Sequence, residues 1–124
     1  MAISIGNDII SNERVRKALE AHGEKFLNRI FTEEEQIYCL AKKDPVPHLA
    51  ARFACKEAFI KAVGLEPNQT LDMKEIELLG REFGKKRLCI YGKSKEMFTS
   101  KGFLDAQASI SHCEEFSTAV VLLS

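Results

Sequence analysis

Two carboxylates and a lysine carry the first chemical signal in this chain. Asp8 stands near the end of a short apolar run. Glu57 and Lys61 lie one helical turn apart within Arg52-Phe53-Ala54-Cys55-Lys56-Glu57-Ala58-Phe59-Ile60-Lys61. Lys42 and Lys43 precede a proline-rich turn, and His112 sits at the end of a strand-like stretch. Such a set suits a hard cation bound together with a phosphate ligand. Mg²⁺ is commonly held by one or two carboxylates, substrate phosphates and water, and lysine or arginine neutralises the remaining phosphate charge. Each signal also has an ordinary counterpart: Glu57 and Lys61 have the spacing of a helix-surface ion pair, and a single histidine beside a turn is more often structural than catalytic. The chain has no P-loop, GxSxG or HExxH motif.

The helix carrying Glu57 must be a central element. Placed at 100° per residue, Leu49, Phe53, Ile60 and Val63 form one apolar arc. Ala51, Ala54, Cys55, Ala58 and Ala62 form an opposite arc, small enough for a close neighbour. Glu57 and Lys61 fall on one edge of the apolar arc, Arg52 and Lys56 on the other. Charges on a buried helix are costly unless paired, metal-bound or used on a ligand.

Around it the pattern gives β-α-α-α-β-β-α-β-β. Ala2 to Ile10 reads as a buried strand with a close backbone approach at Gly6. Ser11 or Asn12 can cap a helix whose Val15, Ala18, Leu19 and His22 face inward, ended by Gly23. Phe26 to Phe31 makes a short apolar turn. Thr32 to Glu35 is a capping box, opening a helix that runs to about Lys43. The central helix spans about His48 to Val63, with Gly64 as its C-cap. Met73–Gly80 and Arg87–Tyr91 read as a hairpin with Glu82-Phe83-Gly84-Lys85 at the turn. Lys93–Lys101 reads as a helix, Gln107–His112 as a strand, and Phe116–Leu123 as the strand at the centre of the sheet. Short connections between the late strands favour antiparallel pairing. The expected class is α+β, a single domain over 1–124 with the long helix packed on an antiparallel sheet.

The 124 residues carry 18 basic and 18 acidic side chains, so a nucleic-acid partner is not expected. Cys39, Cys55, Cys89 and Cys113 lack the CxxC spacing of a zinc site and read as reduced, mostly buried thiols. No stretch has the length of a membrane span or the pattern of a signal peptide, so a cytoplasmic protein is expected.

Gly6-Asn7-Asp8, followed by Arg52 to Ala62, resembles the two signatures of the holo-[acyl-carrier-protein] synthases, the short 4′-phosphopantetheinyl transferases. Arg29 to Glu35 and Ser109 to His112 extend the likeness over nearly the whole chain. The resemblance implies Mg²⁺-dependent transfer of phosphopantetheine from coenzyme A to a serine of an acyl carrier protein, in the service of fatty acid biosynthesis. It implies Asp8 and Glu57 as metal ligands, and Asp8, Glu57 and Lys61 as catalytic residues. Lys61, Arg52, His112, Gly64 and one of Lys42 or Lys43 become candidate coenzyme A contacts. Arg14 becomes the leading residue of a basic face for an acidic carrier protein, followed by Lys17, Lys25 and Arg29. A homotrimer with the coenzyme site between protomers is also implied. Lys56 belongs to the signature, yet its spacing assigns it no task. Gly84-Lys85-Lys86 and Leu65-Glu66-Pro67-Asn68 depart from the family pattern. A non-catalytic coenzyme A or carrier-protein binding module, and a Mg²⁺ phosphodiesterase, are the competing classes.

Overall fold

The alternating apolar segment Phe116–Leu123 forms a strand, β5, paired antiparallel on both sides. One neighbour is β1 (Ser4–Ser11) and the other β4 (Ala106–His112), giving the order β1-β5-β4. The expected central place of the last strand holds. The structure is a computed structural model and describes residues 2–80 and 84–124.

Helices α1 (Asn12–His22), α2 (Glu24–Ile30) and α3 (Glu33–Leu40) follow β1, and the long helix α4 is Val46–Val63. After a 3₁₀ turn at Met73–Glu75, β2 (Ile76–Leu79) and β3 (Arg87–Ile90) pair as an antiparallel two-stranded sheet, and α5 is Gly92–Ser100. The fold is α+β with the long helix laid on the antiparallel sheet, as expected.

Small residues explain why α4 and β1 lie so close. A Cβ at Gly6 would stand 2.1 Å from the Ala58 carbonyl oxygen and 2.9 Å from the Ala62 nitrogen. Two residues earlier, the Ser4 hydroxyl donates to the Ala62 carbonyl at 2.6 Å. The arc of Ala51, Ala54, Cys55, Ala58 and Ala62 is buried throughout, and Ala54, Cys55, Ala58 and Ala62 join Ala119, Val121 and Leu123 in the main core. Gly64 ends the helix in the left-handed region at φ 73°.

The expected hairpin is present as β2-β3, in a small sheet of its own. Several expectations are corrected. Phe26 lies in a full helix, α2, not a turn. α3 stops at Leu40, three residues early, and α4 begins two residues early. Pro47 is tolerated there because first-turn N–H groups need no intrahelical acceptor, and the Asp44 carboxylate accepts from the Val46 N–H at 3.1 Å. Met73–Glu75 is 3₁₀ because the Asp72 carboxylate accepts from the Lys74 N–H at 2.9 Å and starts a turn. Of the expected hairpin turn, Glu82 and Phe83 lie outside the described residues. His22 is exposed, not turned inward. Ser11 is the cap of α1, accepting from the Arg14 N–H. Asn12 is buried instead and clamps the β4–β5 connection: its amide donates to the Cys113 and Glu114 carbonyls and accepts from the Ser117 hydroxyl. Burial pushes the Cys39 thiol up to about 11 and Cys55 up to about 12. Cys113, by contrast, is exposed.

Candidate functional site

Asp8 lies inside β1, three residues before its end, and Glu57 and Lys61 lie on α4. Strand alternation turns Ser4, Gly6 and Asp8 to the same face, and the Gly6 contact presses that face on the helix. Lys61 Nζ donates to Asp8 Oδ1 at 2.9 Å and to the Asn7 carbonyl at 3.1 Å. The other carboxylate oxygen of Asp8, Oδ2, is buried and has no hydrogen-bond donor. Burial first, and the Asp8 charge second, hold the Glu57 carboxyl above the usual range, with Lys61 opposing. Asp8 and Glu57 line one cleft of about 420 Å³, together with Arg14, Phe26 and Phe53.

Two carboxylates in one field, one oxygen of them without a donor, form a donor set for a hard cation. Among the described residues no cluster of three His, Cys, Asp or Glu side chains is available to a metal. Asp8 and Glu57 are the carboxylates in this cleft that could hold a cation, with ligand or solvent oxygens completing the shell.

Arg52 and His112 meet elsewhere. They line a second cavity of about 560 Å³ with Tyr38, His48, Lys85 and Lys86, along the Ala108–His112 wall of β4. Arg52 is only 2% exposed. Its guanidinium lies 4.5 Å from the Tyr38 ring centre, its Nη1 donates to the His48 carbonyl at 3.5 Å, and its Nε has no acceptor. Lys42 Nζ lies 4.6 Å from the same ring. The His48 ring packs edge-on against Tyr38 and His112, with centroids 6.2 and 5.4 Å away. Neither lysine candidate lines the cavity; Lys42 is linked to the group through the Tyr38 ring, while Lys43 is exposed. Gly64 lies at the far end of α4, where its carbonyl accepts from Lys101 Nζ.

The candidate docking residues also divide. Arg14 lines the Asp8 cleft. Lys25 and Arg29 line a groove of about 700 Å³ that shares Phe26 and Phe53 with that cleft and also holds His22 and Asp72. Lys17 is exposed and lines neither.

The gathering expected from sequence is thus two groups within one chain. Asp8 is on one edge strand and His112 on the other, with β5 between them. Sequence reasoning missed Tyr38 and His48, which carry no motif of their own, and the basic wall of Lys85 and Lys86, which stood out only as a departure.

The family described as the 4′-phosphopantetheinyl transferase superfamily matches residues 4–121. A holo-[acyl-carrier-protein] synthase of Leptospira biflexa is 58% identical over 120 residues, covering 97% of this chain and 94% of that protein. One from Protochlamydia amoebophila is 43% identical over 124 residues, covering 100% and 99%. The crystal structure of holo-[acyl-carrier-protein] synthase from Neisseria meningitidis superposes with a TM-score of 0.86 at 30% identity, over 98% of this chain and 97% of that one. That of Helicobacter pylori, in complex with coenzyme A, gives 0.82 at 31% identity, over 97% and 99%.

Proposed function

This chain belongs to the 4′-phosphopantetheinyl transferase superfamily, and on that footing we propose that it acts as a holo-[acyl-carrier-protein] synthase. It moves 4′-phosphopantetheine from coenzyme A to a serine hydroxyl of an apo-acyl carrier protein and releases adenosine 3′,5′-bisphosphate. The observation that carries this reading is the Asp8–Lys61–Glu57 constellation, with a buried, donor-free oxygen on Asp8.

Asp8 and Glu57 would hold Mg²⁺ with the coenzyme A pyrophosphate. The bound ion supplies Lewis-acid stabilisation of the charge that develops on the phosphoryl oxygens. The serine oxygen bonds to the phosphorus that carries pantetheine, and the bond from that phosphorus to the bridging oxygen breaks. The departing bisphosphate keeps the electron pair. Glu57, whose carboxyl is held above its usual range, takes the serine proton directly or through a water. Lys61, whose side chain is exposed, meets the pyrophosphate and stabilises the leaving group. Arg52, His112 and Lys42 take the adenosine-phosphate end, and Arg14, Lys25 and Arg29 form the basic face for the carrier.

The assembly in this reading is a homotrimer. Its support is the outer face of the main sheet, where Ile5 is 68% exposed and Ile9, Val120 and Leu122 stand beside it. Packing such faces against other copies would cover this apolar surface. It would also bring the acidic group of one protomer toward the basic cavity of the next. A cytoplasmic location and a place in fatty acid biosynthesis belong to the same reading. No helix among the described residues is long and apolar enough to cross a membrane.

The direct test is incubation with coenzyme A, Mg²⁺ and an apo-carrier protein. A carrier mass increased by one phosphopantetheine, and no increase in EDTA, is expected. Coenzyme A binding without transfer to any carrier would replace the enzyme with a binding module.

A further inference from the structure

Two rungs join α3 to α4. The inner rung is dry: Lys56 Nζ donates to Glu35 Oε1 at 2.7 Å, and the two residues are 1% and 0% exposed. The Lys56 ammonium also donates to the Met73 carbonyl at 2.9 Å and to the Ile76 carbonyl, so all three of its protons are placed. Glu35 accepts in addition from the Thr32 and Leu78 N–H groups. α3 is therefore fixed on α4 at this level by groups that cannot move without stranding a buried charge.

The outer rung lies one turn away on both helices. Tyr38 follows Glu35 by three residues and Arg52 precedes Lys56 by four, and the Arg52 guanidinium sits 4.5 Å from the Tyr38 ring centre. Lys42 stands 4.6 Å from the same ring. An aromatic face attracts cations, most strongly where water is excluded, and one ring here has both cations within 4.6 Å of its centre. Arg52 Nε, buried beside a cavity with two histidines and two further lysines, has no acceptor.

We propose that Tyr38 is a positioning residue for the phosphate-bearing nucleotide end of coenzyme A. Its ring keeps Arg52 and Lys42 together as an anion clamp, and the Glu35–Lys56 rung fixes the ring. The identity of the ligand rests on the transferase reading; the clamp rests on the geometry.

The test is a calorimetric titration of adenosine 3′,5′-bisphosphate, with adenosine as the phosphate-free control, into wild type, Tyr38→Phe and Tyr38→Leu. Phe keeps the ring and binds as wild type does. Leu keeps bulk without a π face and binds the bisphosphate roughly tenfold more weakly, as the loss of cation–π contacts in a shielded site implies. Adenosine binding is unchanged. In steady state the coenzyme A KM rises with the loss, while kcat and the carrier KM stay within about twofold of wild type. Fluorinated phenylalanines at position 38, which weaken the ring's negative face at nearly constant shape, lower bisphosphate affinity stepwise even if Tyr38→Leu folds poorly. A flat fluorination series, or a Phe variant as weak as Leu, overturns the proposal. The binding series decides the clamp whether or not the wild type transfers phosphopantetheine; absence of transfer alone counts only against the enzyme reading.

Discussion

Gly6 of β1 faces Ala58 of α4 at a separation that leaves no room for a methyl group, with the missing Cβ 2.1 Å from the Ala58 carbonyl oxygen. The obstruction is backbone, which cannot swing aside. This contact sets the spacing between Asp8, two residues along the strand, and Glu57, the residue before Ala58. Gly6→Ala should therefore act on both stability and site. Urea unfolding should show a loss of about 3 kcal/mol, at the upper end for overpacked cores, and Mg²⁺-dependent transfer should fall with it. An unchanged midpoint would mean that the strand and helix separate freely.

Lys56 is fully engaged with Glu35 and two carbonyls. Lys56→Met leaves the Glu35 carboxylate buried without its cation, a change that costs about 3–5 kcal/mol. Adding Glu35→Gln removes the stranded charge and keeps one amide oxygen for either the Thr32 or the Leu78 N–H. The double variant should recover about 1 kcal/mol or more over Lys56→Met alone. Strict additivity in this cycle would remove the ion pair from the account.

Much of this fold can be read directly from residue order, for local reasons. The β-branched alternation of Phe116–Leu123 predicts a central strand, and the small arc of α4 predicts a close neighbour. Thr32 and Glu35 predict a cap that the structure contains. Asp8 and Glu57 were legible as partners only through the paired signatures around them. What escaped depends on long-range placement. Lys56 meets Glu35 across 21 positions, and no periodicity announces it. The separation of His112 from Asp8 follows from β4 and β1 lying on opposite sides of β5, a choice that hydrophobic pattern does not encode.

Asp44 ties α1 to the start of α4. It accepts from the Arg16 guanidinium at 2.8 Å and from the Val46 N–H, and these bonds, Arg16 first, hold its carboxyl below the usual range. A carboxylate depressed in the folded state contributes stability that is present above its unfolded value and is lost as pH falls through its folded one. Thermal melts should show wild type losing an acid-sensitive increment below pH 4 that Asp44→Asn lacks, a small one, because the pair is exposed. Parallel acid limbs in the two proteins would contradict this.

The division into an acidic and a basic group predicts complementation between protomers. Asp8→Asn should be inactive alone, and Arg52→Ala should be nearly so at coenzyme A concentrations below the wild-type KM. Co-expressed in equal amounts, they should regain about a quarter of wild-type transfer, because one neighbour pairing in four joins an intact acidic group to an intact basic one. No recovery in mixed oligomers would place each whole site within one chain.

The central claim is that Glu57, with Asp8, serves phosphoryl transfer on a helix built to hold it. The measurement that meets it most directly is carrier-protein mass after incubation with coenzyme A and Mg²⁺, using wild type and Glu57→Gln side by side, with circular dichroism to establish that both are folded. Wild type should give a phosphopantetheine adduct, and the folded variant should give it at least a hundredfold more slowly, the scale of a lost acid–base or charge-stabilising group. Wild-type rates in Glu57→Gln would contradict it.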